Sequence, residues 1–145
     1  MPQDACLCID LRMAAQKLTQ IYDQVMAPSG ITVTQFSQLH LIQTLAGPTL
    51  KELAGASQLD RSTLGRNIRV LEKQGLVTAK VGADARTRTI NLTRKGRQTF
   101  KRAAPLWHGV QSQLKERLGK DARLQLDAFL ATLTTPLAAN KEGNP

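Results

Sequence analysis

Only two short runs in the sequence alternate apolar and polar residues as strands do, LVTAKV at 76–81 and TRTINLT at 87–93. GADAR (82–86) lies between them with a glycine and an aspartate, so the pair reads as one antiparallel hairpin. A lone hairpin has too little apolar surface to stand by itself in water, so it must lie against other elements. The rest of the chain carries helical spacing. The fold expected is therefore mainly α with one small β-hairpin.

Leu7, Leu11, Ala14, Ala15, Leu18, Ile21, Tyr22 and Val25 recur at three- and four-residue steps, which predicts an amphipathic helix over about 5–27. Pro28 and Gly30 stop it, and Thr32 is placed to cap the next helix. From Thr32 to Leu45 the apolar residues fall nearly all round, the pattern of a buried helix. AGPT (46–49) breaks the chain before TLKELAGAS, a short helix with Leu50, Leu53 and Ala54 inward. Asp60 is positioned to cap a helix over about 61–74 that ends at Gly75. After the hairpin, Thr93 opens a helical pattern to about Gly119, kinked or broken near Pro105, and 122–137 forms a last helix. NKEGNP reads as a frayed tail. Two helices joined by a tight connection and followed by a hairpin give the order of a winged helix-turn-helix.

The net charge of +9 is unevenly placed. Between Leu50 and Arg102 stand 13 Lys/Arg against Glu52, Asp60, Glu72 and Asp84, while the charges elsewhere balance. All the excess lies in the segment that holds the second helix and the hairpin, the footprint of a polyanion-binding region. With aromatics at 3%, a base-stacking surface for single strands is not expected.

Order within LDRSTLGRNIRVLEKQGLV (59–77) sharpens this. At about 100° per residue, Leu64, Ile68 and Leu71 share one side, and Ser62, Arg66, Arg69 and Lys73 fall opposite. The outward side offers guanidinium forks, a hydroxyl and an ammonium to base edges and phosphates, with no acid among them. Arg61, Thr63 and Asn67 sit to the sides, the first two near the end that enters the major groove. An ordinary surface helix would share the apolar stripe, but the missing acids and the following hairpin favour DNA. In the hairpin, Arg86 and Arg88 stand at the tip or just beyond it, within reach of a minor groove, and Asp84 is placed to orient Arg86.

These segments resemble the MarR family of transcriptional regulators over nearly the whole chain. DARTRTINLT (84–93) fits the family's wing, LDRSTLGRNIRVLEKQGLV its recognition helix and GITVTQFSQLHLI its second helix. The resemblance implies a homodimer built by the first and last helices, with two winged lobes on a pseudo-palindromic operator. It also implies repression relieved by an oxidant or a small-molecule effector. The corresponding layout is a single domain, 1–145. Residues 31–99 form the DNA-binding lobe, 77–92 the wing, and 1–30 and 100–140 the dimerisation helices.

CLCIDLRMAAQKLTQIY resembles the first helix of the family's organic-hydroperoxide-sensing branch, in which a reactive cysteine precedes a tyrosine by fourteen residues, as Cys8 precedes Tyr22. Asp4 is placed to cap this helix, with both cysteines near its first turn, where the dipole favours thiolate. Arg12 lies one turn after Cys8, where that branch carries a tyrosine, and no cysteine follows in the C-terminal half. Cys6 and Cys8 are thus read either as redox sensors or as small packing residues in a reducing cytoplasm. Residues two apart on a helix point about 200° away from each other, so pairing them requires local unwinding.

His40 and His108 are isolated, and Phe100 and Trp107 read as core beside Pro105. Two thiols without a nearby histidine do not compose a metal site, and no cofactor motif or catalytic constellation is present, so no enzyme is expected. No run is long and apolar enough to cross a membrane, and the N-terminus lacks a leader pattern, so a cytoplasmic protein is expected. The residues leave two functions open: a sequence-specific DNA-binding regulator and a non-specific architectural DNA-binding protein.

Overall fold

Helices start and stop where short polar side chains and glycines stand, as a computed structural model shows for residues 6–57, 59–82, 84 and 87–138. Helix α1 (Leu7–Met26) begins after Cys6, which occupies the N-cap without a side-chain bond. Its predicted start near residue 5 thus moves to Leu7, and Asp4, the expected cap, lies outside the described residues. A 3-10 turn at Ala27–Ser29 and Gly30, at a φ of 80°, end this segment.

Helix α2 (Val33–Thr44) opens on a reciprocal cap: the Gln35 amide donates to Thr32 Oγ1 at 3.2 Å, and the Thr32 amide donates to Gln35 Oε1 at 3.1 Å. Asp23 of α1 accepts the Val33 amide at 2.8 Å, placing a carboxylate on the positive end of α2. Thr49 and Glu52 repeat the device before α3 (Leu50–Ser57), with bonds of 3.2 and 2.8 Å. The Thr49 amide, and then its hydroxyl, hold the Glu52 carboxyl below the ordinary range. Helix α4 (Arg61–Lys73) is capped by Asp60 and followed by Gly75 at a φ of 72°.

Strands β1 (Val77–Val81) and β2 (Arg88–Leu92) pair antiparallel, from Val77 opposite Leu92 to Val81 opposite Arg88. The chain before α3 joins them: Thr49 bridges to Thr89, and the Ile90 amide donates to the Pro48 carbonyl at 2.8 Å. AGPT is therefore a short third edge of the hairpin as well as a break. Helix α5 (Arg94–Leu118) continues through Pro105 without a break, and Gly119 ends it at a φ of 92°. Helix α6 (Ala122–Leu133) stops four residues short of the predicted 137.

The core of the lobe is built from Met26, Leu39, Ile42, Leu53, Leu64 and Leu71, all fully buried. Helix α2 is not buried all round in this chain; Phe36, Gln38, Leu39 and Ile42 point inward, while His40, Gln43 and Thr44 are exposed. The start of α5 is locked to the turn after α4. Thr93 Oγ1 donates to the Gly75 carbonyl at 2.6 Å and accepts the Gly96 amide at 3.0 Å. A Cβ at Gly96 would collide with the Leu76 carbonyl oxygen, so no larger residue fits this crossing.

The chain divides into two compact units, Met1–Val110 and Gln111–Pro145. Within the first, α1 buries only Tyr22 and Met26, and Leu7, Ile9, Met13, Leu18, Ile21 and Val25 are exposed. Within the second, α6 buries no residue and exposes Leu124, Leu126, Phe129 and Leu130.

Candidate nucleic-acid interface

The sequence of α4 divides it lengthwise. Leu64, Ile68 and Leu71 are buried in the lobe, whereas Arg61, Ser62, Arg66, Arg69 and Lys73 are exposed. Thr63 and Asn67 are half-buried at the flanks, as the helical angles require.

Asp60 organises the first turn. Its Oδ1 accepts the Ser62 hydroxyl at 2.7 Å and the Thr63 amide at 2.8 Å, and its Oδ2 accepts the Thr63 hydroxyl at 2.8 Å. The Ser62 hydroxyl, then the Thr63 amide and hydroxyl, hold its carboxyl well below the usual range, and Arg66 adds a weaker attraction. Ser62 and Thr63 therefore spend their protons on the cap and keep oxygen lone pairs as acceptors. Arg66 Nη2 donates to Thr63 Oγ1 at 3.4 Å, which leans the guanidinium toward the helix start.

In the hairpin, Arg88 is the first residue of β2, exposed and opposite Val81, just beyond the turn. The Thr87 amide donates to the Asp84 carbonyl at 2.9 Å, and the Gly82 amide donates to the Thr87 carbonyl at 2.6 Å, closing the turn. Arg86, and with it the expected pairing to Asp84, lies outside the described residues. Lys80, exposed on β1 opposite Thr89, is a wing cation that the sequence reading did not single out. Its place on the polar side of the alternation was the available signal.

The two thiols are free and exposed at the start of α1, Cys6 as N-cap and Cys8 in the first turn. In this chain neither is a buried packing residue. Cys8 and Tyr22 are fourteen residues apart on one helix, about 21 Å at 1.5 Å per residue, so they do not meet within one chain. Tyr22 is instead buried on the lobe, and burial pushes its phenol pKa up.

Phe100 and Trp107 are half-buried, not core, and wall a groove between α2 and α5. Phe36 stacks on Phe100 with centroids 4.7 Å apart and on Trp107 at 5.6 Å; His40 lies 6.0 Å from Phe100. His108 meets Trp107 edge-on at 5.0 Å. The groove encloses about 470 Å³ and is also lined by Ser37, Gln43 and Thr44. Among the described residues no group of three or more His, Cys, Asp or Glu is arranged to hold a metal ion, and no helix is long and apolar enough to cross a membrane.

Comparison with known proteins agrees with this geometry. The sequence profile of the MarR family matches residues 29–87. The organic hydroperoxide resistance transcriptional regulator of Bacillus subtilis is 30% identical over 132 residues, covering 90% of this chain and 88% of that protein. The M. tuberculosis transcriptional regulator MosR, solved in complex with DNA, is 43% identical with a TM-score of 0.78, covering 89% of this chain and 93% of that one. The transcriptional repressor CouR, solved on a 23-mer DNA duplex, is 30% identical with a TM-score of 0.79, covering 90% and 93%. A winged lobe with an acid-free outward helix face, found in a chain this similar to these regulators, has one home: the protein belongs to the MarR family of winged helix-turn-helix transcriptional regulators, which are DNA-binding proteins and not enzymes.

Proposed function

We propose that the protein is a sequence-specific repressor that binds a pseudo-palindromic operator as a homodimer. The observation that carries this is the outward face of α4, where Ser62, Arg66, Arg69 and Lys73 stand exposed beside a firmly capped first turn. Arg66 and Arg69 supply forked donors for base edges in the major groove, and Arg61 and Lys73 supply phosphate contacts. Ser62, Thr63 and Asn67 complete the helix contacts. Arg86 and Arg88 take the wing to the minor groove. That MosR and CouR were solved in complex with DNA supports duplex DNA as the partner.

A homodimer through the first and last helices accounts for the unpartnered apolar faces of α1 and α6. Two readings of the inducing signal have separate support. The exposed Cys8 at a helix start suits oxidation by a hydroperoxide, with Cys6 as the second thiol. The aromatic groove between α2 and α5 suits a small-molecule effector.

Mobility-shift titrations of the reduced protein on DNA upstream of its own gene, with unrelated competitor, test the whole reading. Specific binding should survive the competitor, fall after hydroperoxide treatment, and persist under hydroperoxide in Cys8→Ser. Equal displacement by any duplex would make the protein an architectural binder. A Cys8→Ser variant that still responds would move the signal away from this thiol.

A further inference from the structure

From Asp84 to Glu116 the sequence has no acid between them and eight Lys/Arg. Five of these, Arg94, Lys95, Arg97, Lys101 and Arg102, are exposed on the first nine residues of α5. Helix electrostatics disfavours Arg94, Lys95 and Arg97 in the first turn, because the amino end is already positive and prefers acids. No acid stands in that first turn to compensate.

Three of the five have local partners. Lys95 Nζ donates to the Gln74 carbonyl at 2.7 Å, and Arg97 Nη1 donates to the Leu92 carbonyl at 2.8 Å. Arg102 leans on Thr99 Oγ1 at 3.3 Å, while Arg94 and Lys101 make no hydrogen bond or ion pair among the described residues. Arg94, Gln98, Lys101 and Arg102 share a sector about 100° wide on the helix. Within Arg94–Arg102 that sector presents cations and an amide, with no aromatic or large aliphatic side chain of the kind protein partners use as an anchor. It also starts beside the DNA-reading helix, because Lys95 binds the carbonyl one residue beyond Lys73.

From charge complementarity and this continuity we propose that the Arg94–Arg102 face of α5 is a second phosphate-binding surface. It takes up the sugar-phosphate backbone of duplex DNA flanking the site that α4 contacts. The proposal rests on the DNA-binding reading above. Arg94 and Lys101 are about 10 Å apart along the helix, comparable to three phosphate steps of one strand measured along the duplex axis. The contact adds affinity and salt dependence but no base preference.

The test compares the full-length protein with Arg94→Gln/Lys101→Gln/Arg102→Gln on two duplexes: the minimal protected operator, and the same operator with about ten flanking base pairs on each side. Wild type should gain on the order of tenfold in affinity from the flanks at low salt. The triple variant should lose that gain and bind the minimal duplex as wild type does. Its log–log salt slope on the long duplex should be shallower by up to roughly three per protomer, at about 0.9 per phosphate. If the triple variant melts early, Lys101→Gln alone should lose part of the gain. An equal flank gain in variant and wild type overturns the proposal, and so does an equal loss on both duplexes. Wild type that prefers neither duplex over random DNA would instead sink the operator reading on which this one rests.

Discussion

Arg66 stands on the outward face of α4 one turn after Thr63, whose hydroxyl oxygen it touches. Arg66→Ala should cost on the order of 1–3 kcal/mol of specific binding and relax preference at one base position per half-site. Competition titrations on single-base operator variants read this directly, and equal loss on random DNA would reassign Arg66 to phosphate. Asp60 works at the same scale through protonation. Its folded pKa is held below the unfolded value by the Ser62 and Thr63 donors. The ionised carboxylate therefore favours the folded state above the ordinary range of about 4, and that contribution is withdrawn as the pH falls toward the depressed folded value. Asp60→Asn keeps an acceptor at the cap and removes the charge. Its melting midpoint should sit below wild type at neutral pH, with the gap narrowing as the pH falls through about 4. A gap that stays constant with pH would show that the charge does not matter.

Among the elements, the crossing of α5 over the turn after α4 has the least freedom. Gly96 faces the Leu76 carbonyl, which also accepts the Thr93 amide at 3.0 Å. Gly96→Ala should therefore destabilise the lobe by about 1–3 kcal/mol or more, because the added methyl meets backbone and not a flexible side chain. Denaturant midpoints measure it, and a neutral result would mean that the helix slides aside. Nothing in the string RKGRQ announces this glycine, since the clash comes from Leu76, twenty residues earlier. The caps at Thr32 and Asp60 and the stop at Gly75 were legible, because their partners lie within three residues or their φ is set locally. The buried and outward faces of α4 were legible for the same reason of short range. The bridge from Thr49 to Thr89 was not, because it joins segments forty residues apart. Likewise the burial of Gln38 and the exposure of Leu45 follow from which neighbours α2 meets, which periodicity alone does not encode.

On the scale of the whole molecule, the amino-terminal part of α1 has little support from its own chain. From Leu7 to Gln20 every residue except the half-buried Leu11 is exposed, yet a helix of about that length is marginal in water without tertiary support. Under the homodimer reading a second copy supplies the support, so helix content and assembly are coupled. Amide hydrogen exchange should then split α1 in two. Amides beside Tyr22 and Met26 should exchange slowly at any dilution, while those around Met13 should slow only as the protein is concentrated. Uniform, concentration-independent protection would detach the helix from assembly. Otherwise the number of copies in a cell acts on the shape of each one, and a shortage leaves the first four turns, thiols included, uncoiled.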